Sequence, residues 1–309
     1  MSTNNRTGRK RDYVGVLSSV FAIVIGLLVG FVILLICNPS QALPGFVTIL
    51  TGAFTHGLKG VGQVFYYATP IILTGLSVGF AFKTGLFNIG TPGQFIVGAF
   101  AAVYVGIMWT GLGRIQWAVA LLAAILGGAL WGMVPGFLKA CFNVNEVIAS
   151  IMMNYIGMYM VNWIVKSYKP LFNNLRNESR NVAATAQIPK MGMDKLFPES
   201  SVGGGILLAI AAVLIIWVIL NKTTFGYELK AVGFNRDASR YAGINEKRNI
   251  IMSMVIAGAI AGMAGGLLYL AGTGKHIEIK DVLASEGFTG ISVALLGLSH
   301  PIGVLFSGL

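Results

Sequence analysis

Long apolar stretches separated by short polar segments make up most of the chain. A helix that crosses a bilayer needs about 20 mostly apolar residues, because no water is present there to pair with backbone polar groups. The stretches that meet or approach this length are 14–37, 64–82, 94–109, 115–137, 147–165, 203–220, 250–271 and 288–309. The pattern therefore predicts an all-α fold, a polytopic transmembrane helical bundle with about eight spans.

The polar segments between these stretches predict the organisation of the chain. Residues 1–13 form a short N-terminal tail, and residues 14–309 form one transmembrane domain. Basic residues beside a first span usually stay in the cytoplasm, so the tail predicts a cytoplasmic N-terminus. Its basic cluster consists of Arg6, Arg9, Lys10 and Arg11. Alternation of the spans then predicts an external loop at 166–202 and a cytoplasmic loop at 221–249.

The positions of the charged residues along the chain say more about function than their number does. Only 11% of the residues are charged, yet the formal net charge is +11. The basic residues lie in the loops, where they set topology and contact anionic lipid, so we expect membrane lipid and no nucleic acid among the partners. The predicted spans contain no Lys, Arg, Asp or Glu. Membrane-embedded enzymes and proton-driven carriers usually need ionisable groups at depth, so we predict no catalytic residue and no metal site.

Glycine recurs at helical spacing within three of the predicted spans. One stripe consists of Gly128, Gly132 and Gly136, another of Gly258, Gly262 and Gly266, and a shorter one of Gly26 with Gly30. Such stripes let transmembrane helices pack closely, and the alternative is a role in moving helices or in subunit contact.

Neutral polar residues interrupt the apolar pattern at 85–94, where the sequence GLFNIGTPGQ predicts a broken or re-entrant segment. Glycine and proline there free backbone polar groups, which is tolerated at membrane depth only inside protein or beside a cavity. Asn88, Thr91 and Gln94 can then hydrogen-bond a hydroxylated or amide-bearing solute. Asn154 and Tyr155 extend this predicted solute pathway, although an interhelical hydrogen bond is the alternative for Asn154.

The sequence NRDASRYAG at 235–243 predicts a short helix within the cytoplasmic loop. An Asn or Asp caps its start, Ala238 and Tyr241 share one face, and Gly243 ends it. The segment is either an ordinary amphipathic connector or a rigid knob that fits a groove of a peripheral protein.

Four stretches of the chain together carry a family resemblance. They are GLFNIGTPGQF at 85–95, NEVIASIMMNYI at 145–156, TTFGYELKAVGFNRDASRYAGI at 223–244 and ISVALLGLSHPIG at 291–303. The chain resembles the membrane-spanning subunits of bacterial ABC importers in the branched-chain amino acid and simple-sugar permease family, most closely the nucleoside branch. Family members usually continue past the equivalent of Leu309, so the resemblance also implies that the C-terminus is truncated.

The resemblance implies a permease subunit that moves nucleosides or related neutral solutes across the bacterial cytoplasmic membrane. ATP would be used by a separate cytoplasmic ATP-binding subunit, so the chain itself would bind no cofactor and would not be an enzyme. The other implied partners are a second homologous permease and an extracellular or periplasmic substrate-binding protein or lipoprotein. The residues implied in coupling to the ATPase are Gly226, Glu228, Gly233, Asn235, Ala238, Arg240, Tyr241 and Gly243.

The residues themselves leave two questions open. An ion-coupled secondary transporter of a neutral solute is the alternative function, because backbone carbonyls and hydroxyls at broken helices can hold sodium without a carboxylate. Asn, Gln, Tyr and Ser side chains also suit a nucleoside, a sugar or an amino acid equally well.

Overall fold

The computed structural model describes residues 6–309. Residues 1–5 of the predicted tail lie outside this range, as do the side chains of its basic cluster, so the cytoplasmic N-terminus stays a prediction. The chain divides into two compact units, one up to Val61 and one from Gly62 to Leu309.

Helices account for almost all regular structure within the described range. They are α1 (Arg6–Cys37), α2 (Pro39–Thr55), α3 (Gly57–Phe82), α4 (Thr91–Met108), α5 (Gln116–Phe142), α6 (Glu146–Ser167), α7 (Met193–Leu196), α8 (Gly205–Lys222), α9 (Thr224–Phe234), α10 (Arg236–Tyr241), α11 (Glu246–Tyr269), α12 (Ser285–Leu296) and α13 (Pro301–Ser307). Two 3-10 turns, Thr110–Ile115 and Ala184–Ala186, and a two-stranded antiparallel hairpin, β1 (Phe172–Asn173) and β2 (Glu178–Ser179), complete the list.

Seven of the described helices are long and apolar enough to cross a membrane by length and composition. These helices, α1, α3, α4, α5, α6, α8 and α11, each overlap one of the predicted stretches. Together with one bent helix pair they confirm the prediction of an all-α polytopic bundle with about eight spans.

The eighth predicted stretch, 288–309, has a different geometry from the others. This stretch forms two helices, α12 and α13, and the chain bends by 118° between them. Leu298 and Ser299 in the turn between them have positive φ values of 53° and 52°, a conformation that ends a helix. Ser299 lies against Gly79 of α3 and Gly308 lies against Ile72, so α13 returns along α3 in the direction from which α12 came.

The first unit contains α1, α2 and the start of α3. Phe31 of α1 and Phe46 of α2 pack with their ring centroids 4.8 Å apart. The described side chains of α1, which begin at Val14, are otherwise largely exposed, as Ile36 illustrates at 77%. Apolar side chains on a spanning helix suit contact with lipid, since lipid tails are as apolar as they are.

Glycines bring α4, α5 and α11 into close contact at the centre of the second unit. A Cβ atom on Gly258 of α11 would collide with the carbonyl oxygen of Gly128, and one on Gly132 of α5 would lie 3.1 Å from the Cα of Gly258. Gly98 of α4 approaches the backbone of Gly262 in the same way. The prediction that glycine stripes pack helices closely is therefore confirmed for α5 and α11. It is wrong for Gly26 and Gly30 of α1, where an added Cβ would have no neighbour within 4 Å.

Polar segments lie together at each of the two ends of the second unit. At one end, which we call the coupling end, α9, α10 and the turn 83–90 lie together. At the other, the loop end, residues 168–204 meet the connection 270–284. The Ser179 amide donates to the Ile277 carbonyl at 2.9 Å, and the Ile188 amide donates to the Leu270 carbonyl at 2.8 Å, which fastens the two segments to each other.

Candidate functional site

The turn 83–90 interrupts helical structure between α3 and α4, so the break predicted at 85–94 is present but ends at Gly90, because α4 begins at Thr91. The turn lies partly inside the protein, since Leu86 and Asn88 are both 0% exposed whereas Gly85 is exposed. Helix α4 begins at Thr91 with Pro92 in its first turn, where a missing amide proton costs nothing. Broken structure at this depth therefore has the protein surroundings that it requires.

Asn88 of this turn and Gln94 of α4 form a reciprocal pair of amide side chains. The Asn88 Nδ2 donates to Gln94 Oε1 at 2.8 Å, and the Gln94 Nε2 donates to Asn88 Oδ1 at 3.0 Å. The Asn88 Nδ2 also donates to Ser77 Oγ at 3.2 Å, and Ser77 Oγ donates to the Ala257 carbonyl at 2.6 Å. Thr91 Oγ1 donates to the Asn88 carbonyl at 2.9 Å. The network thereby connects α3, the turn, α4 and α11.

Asn154 of α6 binds the same break from the other side. Its Oδ1 accepts from the Gly93 amide at 2.8 Å, and its Nδ2 donates to the Ile89 carbonyl at 2.9 Å. The first amides of a helix have no partner within the helix, and Asn154 supplies one for α4. This is the interhelical hydrogen bond that the sequence left as the alternative for Asn154.

The structure thus brings together four of the five residues that we predicted for the solute pathway. Asn88, Thr91, Gln94 and Asn154 are at most 1% exposed, and protein partners occupy their polar groups in this conformation. Tyr155 is 47% exposed and stands apart from the network.

Two serines that the sequence reasoning missed also belong to this region. Ser77 connects the amide pair to α11, and Ser150 lies against Gly90 with its side chain fully buried. Among the residues that the structure describes, the Ser150 hydroxyl has no hydrogen-bond partner. Ser150 stands four residues before Asn154, a spacing that places both on one helix face and could have indicated it.

The predicted helix at 235–243 is present as α10, and its caps follow the expected chemistry. The Asn235 side chain accepts from the Ala238 amide at 2.9 Å, and Gly243 has a φ of 80° just after the helix. The local structure predicted for this segment is confirmed.

A groove of about 560 Å³ runs between α9 and α10 at the coupling end. Two aromatic side chains that line it are strongly exposed, Tyr227 at 71% and Phe234 at 91%, and Tyr241 of α10, outside the lining, is 94% exposed. Other residues that line the groove are Thr224, Glu228, Ala231, Asn235, Ala238 and Ser239. Exposed aromatic groups beside a groove of this kind are typical of a surface that binds another protein.

The predicted coupling residues fall into two groups. Asn235, Ala238, Arg240, Tyr241 and Gly243 are exposed on or beside α10. The other three lie on α9 and make contacts within the chain. They are Gly226, Glu228 and Gly233.

The α9 residues connect the groove with the interior. Glu228 Oε2 accepts from the Asn249 Nδ2 of α11 at 2.9 Å. A Cβ on Gly226 would collide with the Ile219 carbonyl, and one on Gly233 would collide with the Lys83 carbonyl and approach the Gly85 amide nitrogen to 3.1 Å. Gly233 therefore places α9 directly against the turn 83–90. Burial lowers the pKa of Lys83, with a smaller contribution from the positive charge of Lys230.

One acidic residue lies in the first turn of α12, just before the apolar stretch that the sequence predicts. Helix α12 begins at Ser285, so Glu286 belongs to the bent helix pair rather than to the loop before it. Its backbone carbonyl accepts from Thr74 Oγ1 of α3 at 2.9 Å, and Thr74 is fully buried. The predicted stretch 288–309 itself contains no acidic residue, and α12 extends it by three residues that include Glu286. Within the described range no group of three or more His, Cys, Asp or Glu residues is placed to hold a metal ion.

Comparison with known proteins identifies the class to which this arrangement belongs. Residues 60–309 match the family described as branched-chain amino acid transport system / permease component. The chain therefore belongs to this family of permeases and is a multi-pass membrane protein. The matched region begins within two residues of Gly62, where the second compact unit begins.

Individual relatives make the comparison more specific. The chain is 41% identical over 288 residues to the guanosine ABC transporter permease protein NupP of Bacillus subtilis (strain 168), which covers 93% of this chain and 81% of that protein. It is 36% identical over 312 residues to the nucleoside ABC transporter permease protein NupB of Lactococcus lactis subsp. cremoris (strain MG1363). This match covers 99% of this chain and 83% of NupB. It is also 29% identical over 251 residues to the guanosine ABC transporter permease protein NupQ of Bacillus subtilis, with 79% and 76% covered. No solved structure matches the chain.

Proposed function

We propose that this permease imports nucleosides across the bacterial cytoplasmic membrane as a subunit of an ABC importer. The observation that carries the proposal is the groove between α9 and α10. Two exposed aromatic side chains line it, and α9 contacts the turn 83–90. The names of NupP and NupB, which are a guanosine and a nucleoside permease, support the choice of solute.

In this proposal a separate cytoplasmic subunit binds and hydrolyses ATP, and it docks in the groove at the coupling end. Its movement would press on α10 and α9, and Gly233 would pass the displacement to the backbone of Lys83 and Gly85. That turn leads directly to Asn88 and the amide pair. The energy for transport would therefore enter at α10 and reach the buried network through backbone contacts.

The solute path would run through the polar network at the break. Asn88 and Gln94 now satisfy each other, and separation of α3, α4 and α6 would free their amide groups for a solute. A nucleoside offers hydroxyl, carbonyl and amino groups that can replace these internal hydrogen bonds. The exchange keeps each buried polar group paired, which a membrane interior requires.

The remaining partners fit the two ends of the second unit. The basic cluster in the tail favours a cytoplasmic N-terminus, which directs the coupling end inward and the loop end outward. An open depression of about 880 Å³ at the loop end, lined by Lys169, Arg176, Glu178 and Arg180 among others, would receive a substrate-binding protein or lipoprotein. Two different guanosine permeases of one Bacillus strain resemble this chain, which supports pairing with a second homologous permease.

The docking proposal can be tested with Ala238→Arg and Gly243→Trp. Ala238 is exposed on α10, so the added guanidinium would obstruct the groove, and tryptophan at Gly243 would be strained at a φ of 80°. We expect co-purification of the ATP-binding subunit to fall at least about tenfold, which corresponds to ~1.4 kcal/mol. The amount of permease in the membrane should stay the same.

A matched control is Ala184→Arg, which adds the same side chain to an exposed position at the loop end. This variant should retain the ATP-binding subunit. If both coupling-end variants bind that subunit as well as the unmodified chain does, the groove is not its docking site.

A further inference from the structure

A small cavity of about 170 Å³ lies at the loop end, outside the amide network and the coupling groove. Elements far apart in sequence form its wall, with one side from α4, α6 and α11 and the other from the connection that leads into α12. The residues that matter for its chemistry are Ile96, Met158, Asn162, Tyr269, Lys275 and Glu286.

Lys275 and Glu286 place opposite charges side by side in this cavity. The Lys275 Nζ lies 3.4 Å from Glu286 Oε1, which is longer than the roughly 2.7–2.9 Å of a good charge-assisted hydrogen bond. The only other bond to the carboxylate among the described residues is from Ser285 Oγ to Glu286 Oε2, at 3.2 Å. An ionised carboxylate can accept about four hydrogen bonds and an ammonium group can donate three, so both groups retain capacity for a ligand.

The other walls suit a flat ring. The side chains of Ile96 and Met158 are apolar, and Lys275 Nζ lies 6.0 Å from the centroid of the Tyr269 ring. The Tyr269 hydroxyl has no hydrogen-bond partner in the part of the chain that the structure describes. Asn162 donates through Nδ2 to the Lys280 carbonyl at 3.0 Å, which leaves its Oδ1 able to accept.

Glu286, which lines the cavity, also connects it to α3 and to the first turn of α4. Glu286 is fixed to α3 through the hydrogen bond between its carbonyl and Thr74. The next residue, Gly287, packs directly against Pro92 in the first turn of α4. A ligand held by Glu286 would therefore lie beside the elements that the solute must pass.

The geometry points to a recognition subsite for a guanine-type base, in which Glu286 accepts hydrogen bonds from the base and Lys275 donates to it. Guanine presents two neighbouring donors, the ring N1–H and the 2-amino group, beside one acceptor, the 6-oxo group. A carboxylate next to an ammonium group is the complement of that edge. Small-molecule pockets usually measure about 300–1,000 Å³, so this cavity holds a base rather than a whole nucleoside.

This assignment rests on the proposed function, and the test separates the two. The complete importer, with its own binding protein, is assayed for uptake of guanosine and of 1-methylguanosine, which lacks the N1–H donor. Loss of a two-bond contact to a base costs about tenfold or more in discrimination. We therefore expect Glu286→Gln to lower kcat/KM for guanosine about tenfold and to remove most of the preference over 1-methylguanosine.

Asp194→Asn serves as the control, because it changes an exposed carboxylate of the same loop end that does not line the cavity. It should leave both kcat/KM values unchanged. Lys275→Gln provides a second variant in case Glu286→Gln does not accumulate in the membrane, and it should lower kcat/KM for guanosine as well.

Three results would overturn the assignment. Glu286→Gln with an unchanged preference for guanosine would overturn the subsite while the proposed function stands. If that variant does not accumulate, unchanged guanosine uptake in Lys275→Gln has the same meaning. An unmodified importer that takes up no nucleoside would overturn the proposed function and this subsite together.

Discussion

At the scale of single residues, the amide pair of Asn88 and Gln94 determines how the break is held. Each side chain gives and receives one hydrogen bond with the other, at 2.8 and 3.0 Å. Within the membrane no water replaces a lost partner, so removal of one amide leaves the other unsatisfied. The pair therefore stabilises one arrangement of α3 and α4, and its opening requires partners of similar chemistry.

We predict that Asn88→Ala lowers the stability of the permease and weakens nucleoside uptake without blocking assembly with its partners. The variant leaves the Gln94 amide buried without its partner, which lowers the free energy of unfolding by about 1–3 kcal/mol. Thermal unfolding of the purified permease, followed beside uptake kinetics, measures both effects.

Gln94→Ala and the double variant make this test specific. Because the two side chains share the same bonds, the double variant should lose less stability than the sum of the single variants. Gln41→Ala, which removes an exposed amide side chain of α2, is the control. Additive losses, or uptake by Asn88→Ala that equals the unmodified protein, would contradict this role.

At the scale of elements, α9 lies between the exposed α10 and the partly buried turn 83–90. Gly226 lets it approach the end of α8, and Gly233 lets it touch Lys83 and Gly85. These contacts involve backbone atoms, which cannot move aside as a flexible side chain can. A displacement of α9 must therefore move the turn or separate from it.

We predict that Gly233→Ala uncouples ATP hydrolysis from transport. The added Cβ would collide with the Lys83 carbonyl and force α9 away from the turn, while the groove for the ATP-binding subunit keeps its exposed residues. The assembled complex should still hydrolyse ATP. The number of solute molecules transported per ATP should fall at least about tenfold, which corresponds to ~1.4 kcal/mol.

Gly111→Ala is the matched control, because a Cβ at that position has no neighbour within 4 Å. A normal ratio of solute to ATP in Gly233→Ala would show that this contact does not transmit the movement.

The sequence predicts the elements well where periodicity and capping chemistry are local. The seven helices long enough to span a membrane coincide with apolar stretches, and Asn235 and Gly243 mark α10 correctly. The bend of 118° between α12 and α13 is missed, because the residues on both sides are apolar and the turn is held by packing against α3. Glu286 is missed for a related reason, since it stands just before the apolar stretch that predicted the helix.

The sequence also identifies the polar residues of the break but not their arrangement. Asn88, Gln94 and Asn154 are recognisable because neutral polar groups are unusual within apolar stretches. Their pairing depends on how α3, α4 and α6 meet, and local spacing carries no information about that contact. For the same reason Ser77 is found only in the three-dimensional structure, where it connects the amide pair to α11.

At the scale of the whole molecule, the described structure joins a surface for a partner to a buried polar network. The groove at the coupling end lies next to the turn 83–90, and the loop end offers both a wide depression and a small cavity. The chain belongs to a permease family, and we propose that the energy for import enters through α10. A carrier driven by an ion gradient would need no such surface.

The most direct measurement is uptake by proteoliposomes that contain the complete importer, with its binding protein outside and ATP enclosed. We predict accumulation of labelled guanosine that requires ATP and persists when sodium and proton gradients are abolished by ionophores. Ala238→Arg in the permease should remove it. Accumulation that continues without ATP and disappears with the sodium gradient would contradict the account.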